Sequence, residues 1–175
     1  TTVTLGQTGV TASPNATDAI SGVDSASCGA VDTSAAGKHT VQCTATDNAG
    51  NTAIKSIDYV VGYRILGFFS PVPGSKWLAG QTVPIKIALG DASGRRISDQ
   101  TGVLLAGQCA VTFSVSGAQA SSAQCMKYDS INDQFAYSWK LAKAPLGVAT
   151  ITVSVAYAGT TTTTSLSETV RISRN

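Results

Sequence analysis

Apolar side chains fall at every second position in run after run of this chain. From His39 to Asp47, Val41, Cys43 and Ala45 point one way while Thr40, Gln42, Thr44 and Thr46 point the other. Ile57, Tyr59 and Val61 share a face, as do Val83, Ile85, Ile87 and Leu89. Cys109, Val111, Phe113 and Val115 repeat the pattern, followed by Phe135, Tyr137, Trp139 and Leu141. Ile151, Val153, Val155 and Tyr157 come next, with Val170 and Ile172 closing the series. Polar or small residues separate the members of each set, the mark of a strand with one buried face. Cys43 and Cys109 have the inward parity that a buried disulfide requires.

Turn signals separate these runs: Ala36-Gly37-Lys38, Asp47-Asn48-Ala49-Gly50-Asn51, Gly90-Asp91-Ala92-Ser93-Gly94 and Ala158-Gly159-Thr160. Short alternating strands punctuated in this way predict β-sandwiches. No amphipathic helix is visible, and Asp99 to Gln108 is expected to hold one turn and no more. A boundary falls near Gly62-Tyr63-Arg64, dividing the chain into residues 1–62 and 63–175. The connector is short, so the two modules should be stiff relative to one another. The Thr160–Thr164 run reads as a hairpin turn with an extended polar edge. The expected fold class is therefore all-β: two Ig-like β-sandwich domains in tandem, one disulfide each.

Composition agrees with this pattern. Charged residues are 13% of the chain, about half of the ~25% of an average globular protein. The formal net charge is +2. Arg95-Arg96 is the sole basic pair, so the electrostatic footprint of a nucleic-acid binder is missing. The apolar stretches are far too short to cross a bilayer. The chain opens on Thr1, which reads as a mature chain or an excerpt of a larger one.

Four cysteines, Cys28, Cys43, Cys109 and Cys125, allow three pairings. They fall as two local pairs, one in each half of the chain, too widely spaced for the ligand knuckles of a zinc site. Cys28–Cys43 and Cys109–Cys125 are the simplest pairing. A loop of ~15 residues closed in this way is worth about 3 kcal/mol. Disulfides persist in oxidising compartments, which places the protein outside the cell or on its surface.

Candidate chemistry is sparse. His39 is the only histidine, and nucleophilic catalysis by Ser or Cys needs a base within reach. The pattern sets His39 at a strand start, where it reads as a cross-strand polar residue. Asp47, Asp91, Asp129 and Asp133 sit in turns, where Asp bonds to its own backbone, and not in the apolar settings of a glycosidase pair. No catalytic residue is assigned, and the protein is not expected to be an enzyme. The oxygen-rich turn of Asp47, Asn48 and Asn51, with Asp18 and Asp24 nearby, could supply the oxygens that calcium takes. The same residues also make a hairpin turn unaided. No other metal or cofactor is expected. Trp77, next to Gly74-Ser75-Lys76 in a loop, is a candidate platform for a sugar ring. Tyr63, Phe68 and Phe69 should pack at the module junction.

Residues 9–61 carry Ser21-Gly22-Val23, Cys28, and a run from Gly37 to Thr52 of the form GxHTVxCTATDxAGNT, ending Asp58-Tyr59-Val60-Val61. This resembles the bacterial Ig-like, HYR-type repeats of secreted and surface proteins. The likeness implies a sandwich used for adhesion or as a spacer beside other domains. Such repeats begin with a further strand after a Pro-Pro sequence. Here Thr1-Thr2-Val3-Thr4-Leu5 starts abruptly, so the module is expected to lack that strand. Residues 65–173 carry Gly67-Phe68-Phe69-Ser70-Pro71, Gly80-Gln81-Thr82-Val83-Pro84-Ile85-Lys86-Ile87 and Phe135-Ala136-Tyr137-Ser138-Trp139. They resemble the PxKF module at the C-termini of secreted bacterial proteins, actinobacterial ones especially, with Ile87 where the name-giving Phe would stand.

Three functions follow as expectations. The first is a non-catalytic extracellular structural or adhesive module. The second is a filament subunit assembled by strand complementation, with Thr1–Leu5 or Thr160–Thr164 as the donor. The third is a carbohydrate-binding appendage of a polysaccharide-degrading enzyme. Expected partners are other domains of the same polypeptide, neighbouring subunits or surface glycans.

Overall fold

The computed structural model describes residues 1–72 and 76–174. Among the described residues the chain is all-β apart from one helix, with three sheets in all and one disulfide in each half. The first sheet has the order β1-β4-β3-β2. Its strands are β1 (Thr2–Thr4), β2 (Val23–Cys28), β3 (Gly37–Asp47) and β4 (Thr52–Gly62). β2, β3 and β4 form an antiparallel meander, and β1 lies parallel to the end of β4, with Thr2 opposite Val60 and Thr4 opposite Gly62. Thr1–Leu5 is thus taken up by its own sheet, because an extended segment beside an open edge satisfies backbone groups there. That corrects its expected role as a free donor. Val3, Val41, Tyr59 and Val61 form this half's buried cluster, with Leu5, Val10, Ala12, Cys28, Val31 and Ile57 packed against it. Coil on either side of β2, in place of a second sheet, thus supplies part of the layer over the sheet's inner face.

One residue, Tyr63, separates β4 from β5 (Arg64–Phe68). The elements that follow are β6 (Lys76–Leu78), β7 (Thr82–Gly90), α1 (Asp99–Gly107), β8 (Val111–Gly117) and β9 (Ser121–Cys125). The last are β10 (Lys127–Asp129), β11 (Gln134–Lys140), β12 (Gly147–Ala156) and β13 (Thr163–Ser173). They build two sheets, β10-β11-β7-β5 and β6-β13-β12-β8-β9. The alternating residues of β7, β8, β11, β12 and β13 fill the core between them, as the period of two requires. Phe113 on β8 stacks on Tyr137 of β11 at 4.9 Å and tilts against Trp139 at 5.7 Å, joining the two sheets. The intervening positions face outward, and there Thr152 pairs with Ser167 and Ser154 with Ser165, hydroxyl to hydroxyl, at 2.8 Å each.

Two expectations are corrected. α1 is a nine-residue helix, longer than the single turn anticipated. Ser98 caps it by accepting from the Thr101 N–H at 3.3 Å, and Asp99 stands in the first turn. Its inward face is only Gly102 and Leu105, too little to give a helical period. Gly102 is required because a Cβ there would enter the ring of Tyr128. Tyr128 donates to Asp99 at 3.0 Å, and burial together with that carboxylate pushes its hydroxyl up to about 12. The second correction concerns Cys109. It precedes β8 in a left-handed turn conformation, with φ of 53°, and is half-buried, while Cys125 is exposed. The second disulfide therefore staples the end of α1 to β9 at the surface instead of lying inside. The first has one buried sulfur, Cys43, opposite Cys28 on adjacent strands.

Candidate functional site

The sequence candidates occupy separate places. Asp47 closes the β3–β4 hairpin by local geometry. Its Oδ1 accepts from the backbone N–H groups of Ala49 at 2.9 Å and Asn51 at 2.8 Å, and its Oδ2 accepts from Asn51 Nδ2 at 2.8 Å. Asn48 Nδ2 donates to the Ser21 carbonyl at 2.7 Å, tying the hairpin to the coil before β2. In that coil Asp18 accepts from Ser21 Oγ at 2.6 Å and from the Ile20 N–H at 2.8 Å. Between the Pro14–Asp18 coil and the β3–β4 end runs a groove of about 480 Å³, lined by Val23, Ala45, Ala53 and Ile54 among others, with Asp18 and Asp47 at its walls. Asp24 is not among its lining residues. Calcium takes six to eight oxygens and would draw here on carboxylates already accepting from the turn. Among the described residues no group of three or more His, Cys, Asp or Glu side chains is placed to hold a metal.

The same Asp-centred turn recurs. Asp91 accepts from the Ser93 and Arg95 N–H groups, and Asp129 from the Ile131 N–H and from Asn132 and Gln134. Asp32 accepts from the Ser34 N–H, and Asp58 pairs with Lys38 at 2.7 Å and accepts from Thr40. All six carboxyls, Asp18, Asp32, Asp47, Asp58, Asp91 and Asp129, are held below the ordinary carboxylate value. In each the largest cause is a side-chain bond, from Ser21, Ser34, Asn51, Lys38, Ser93 and Asn132 respectively. A depressed folded-state value means that the stabilisation is present above the unfolded carboxylate range and lost as pH falls through it. Thermal midpoints should therefore be flat from neutral pH down to about pH 5 and drop steeply below about pH 4. A flat profile down to pH 2 would contradict this assignment.

Trp77 is not a surface platform. It is 3% exposed and meets Trp139 edge-on at 5.8 Å inside the larger core. The strand parity of β6 turns its ring inward, and a buried face cannot stack on a sugar. Its Nε1–H is buried without a partner among the described residues. Gly74 and Ser75, the rest of that sequence candidate, lie outside the described residues. His39 Nε2 donates to the Ala35 carbonyl at 2.8 Å, and the ring stacks on Tyr59 at 5.5 Å. Tyr59 Oη donates to the Asp32 carbonyl at 2.9 Å, so His39 and Tyr59 pin the 31–36 loop.

The densest set of contacts that sequence reasoning missed lies where the two halves meet. Tyr157, at the end of the inward series of β12, is buried, and its Oη accepts from the Tyr63 N–H at 2.8 Å and pairs with Thr164 Oγ1 at 2.8 Å. The rings of Tyr63 and Tyr157 stand 6.1 Å apart. Burial raises both hydroxyls above the usual tyrosine value, for Tyr157 against the opposing effect of its bonds with Thr164 and Tyr63. The Ala92 N–H donates to the Leu5 carbonyl at 2.8 Å, a main-chain bond from one half to the other. Val60 of β4 belongs to the larger core. Gly62 leaves room for this: a Cβ there would stand 2.7 Å from Tyr157 Oη and 3.1 Å from Thr164 Oγ1. Of the aromatic residues expected at the junction, Tyr63 lies there, whereas Phe69 carries Arg96 over its ring at 5.4 Å.

Among the described residues no helix is long and apolar enough to cross a membrane. No family model matches the chain, and no curated protein matches it. Solved structures do resemble it. The fibronectin(III)-like modules of CbhA from Clostridium thermocellum match over 82% of this chain and 66% of that one, at 16% identity and a TM-score of 0.38. Domains 4 and 5 of the S-layer protein SbsC match over 77% and 65%, at 15% identity and a TM-score of 0.32. The protocadherin gammaB7 EC3-6 structure matches over 78% and 31%, at 15% identity and a TM-score of 0.31. This chain thus spans about two thirds of the first two chains and about a third of the last. The likeness is one of strand arrangement alone.

Proposed function

We propose that the chain is a non-catalytic, extracellular structural module: two sheet-built units, residues 1–62 and 63–175, held as one stiff piece that spaces or presents whatever adjoins it. The junction carries the reading. A flexible linker leaves two modules independent, whereas here one residue separates β4 from β5. Around that residue, Tyr157 Oη, the Ala92–Leu5 bond and Val60 knit the halves together. Two disulfides support an oxidising compartment, hence secretion or the cell surface.

Residual dipolar couplings test it directly. One alignment tensor should describe both halves of the native chain. Two unrelated tensors would end the stiff-pair reading. Gly62→Val should separate the tensors, because its branched Cβ displaces Tyr157 Oη. Overpacking of this kind costs about 1–3 kcal/mol, and here it falls on Tyr157, where the junction meets the edge of the larger core.

One observation favours a second reading, a filament subunit built by strand addition. β2 has β3 as its one neighbouring strand, and β1 covers only the last three residues of β4, so both borders of the first sheet offer backbone groups to another strand. Light scattering that rises with concentration would support it, and a monomer at millimolar concentration would dismiss it.

A further inference from the structure

The two halves end in the same construction. In the first, β1 runs parallel to the last three residues of β4. Val60 N–H donates to the Thr1 carbonyl at 3.0 Å and Leu5 N–H to the Gly62 carbonyl at 2.8 Å, one bond on each side of the pair. In the second, β6 runs parallel to the last three residues of β13, with Lys76 opposite Arg171 and Leu78 opposite Ser173. Ala79 N–H donates to the Ser173 carbonyl at 3.0 Å, in the place that Leu5 and Gly62 hold in the first. Each short strand puts one side chain into its core, Val3 from β1 and Trp77 from β6. Their orientation is what they share.

Parallel pairing fixes how these patches meet a pull along the chain. Tension drags β1 toward its N-terminal end and β4 toward its C-terminal end, so the two slide along each other in opposite directions. The bonds run across the strands and are loaded together, so several must break in one step. An antiparallel pair pulled from its open end is peeled one bond at a time. Load leaving β4 passes through Tyr63, whose N–H is held by Tyr157, before it reaches β5.

We propose that the chain bears tension: β1 on β4 is a shear clamp that keeps the first unit folded when force acts between its ends, and β6 on β13 repeats it in the second unit, taking the load once β5 has been drawn off β7. The proposal rests on the structural-module reading and says what mechanical task that module performs.

Single-molecule force spectroscopy on the full chain, tethered through its ends between marker domains, tests it. With the disulfides closed, the first unit releases roughly 160 Å and the second roughly 340 Å of chain at ~3.5 Å per residue, so the two ruptures are told apart by length. Reductant added after rupture extends each by a further ~50 Å, from the loops between Cys28 and Cys43 and between Cys109 and Cys125. Leu5→Pro deletes the donor to Gly62 and should lower the rupture force of the shorter step alone. Ala79→Pro should lower that of the longer step alone. Urea midpoints of both should shift by much less than the core variants described below. Should a proline variant fail to fold, an ester in place of the Leu5 or Ala79 amide removes the same N–H without the ring. Rupture forces unchanged by these deletions, or lowered only in proportion to equilibrium stability, would overturn the clamp. A single alignment tensor in the same sample would show that the stiff-module reading survives that failure.

Discussion

Opening the Cys28–Cys43 bond will unfold residues 1–62 and leave the rest of the chain folded. The first half buries Val3, Val41, Tyr59 and Val61 and little else, and coil forms part of the layer over its sheet. Units below about 70–80 residues rarely draw more than ~3–5 kcal/mol from a single core. A bridge closing ~15 residues contributes about 3 kcal/mol, so its loss leaves next to nothing. The second half has both faces of its core built from sheets and keeps its own bridge. The measurement is a proton–nitrogen correlation spectrum of the Cys28→Ser/Cys43→Ser chain. Signals from residues 1–62 should collapse to the centre of the amide range while those from 76–174 keep their dispersion. Native dispersion throughout would mean that the junction alone holds the first half in place.

Phe113→Ala should remove about 3–5 kcal/mol from the larger unit, the range for truncating a buried aromatic. Phe113 is fully buried and is the ring on β8 that meets both Tyr137 and Trp139 across the gap between the sheets. Its neighbour on the opposite parity, Ser114, faces the outer side of the same sheet, and Ser114→Ala should stay within about 0.5 kcal/mol. Urea titration followed by tryptophan fluorescence reports this unit, because Trp77 and Trp139 both lie in its core. Equal costs for the two substitutions would contradict the inward parity of β8.

Strand parity was legible in the sequence because a sheet with one buried face writes its orientation into every second residue. Val83 to Leu89, Phe135 to Leu141 and Ile151 to Tyr157 all face inward as read. The cysteine pairing was legible for a simpler reason, since each cysteine has one near neighbour in sequence. α1 escaped because only Gly102 and Leu105 turn inward, which leaves no period to detect; its signal was the cap, Ser98 followed by Asp99. Trp77 was misplaced because a three-residue strand carries too few positions to fix a parity. The junction was legible at Gly62 and Tyr63 but not in their partners, because Tyr157 and Thr164 lie in a distant stretch and no local pattern reports that Tyr157 Oη reaches the backbone of Tyr63.

Each bridge joins cysteines that follow one another along the chain, and none is left over. As the nascent chain enters an oxidising space from its amino end, Cys43 arrives 15 residues behind Cys28 and well ahead of Cys109. Short loops also close more readily than long ones. The correct pairing is therefore reached in order of synthesis, before Cys109 emerges to compete, and maturation of the first unit does not wait on the second.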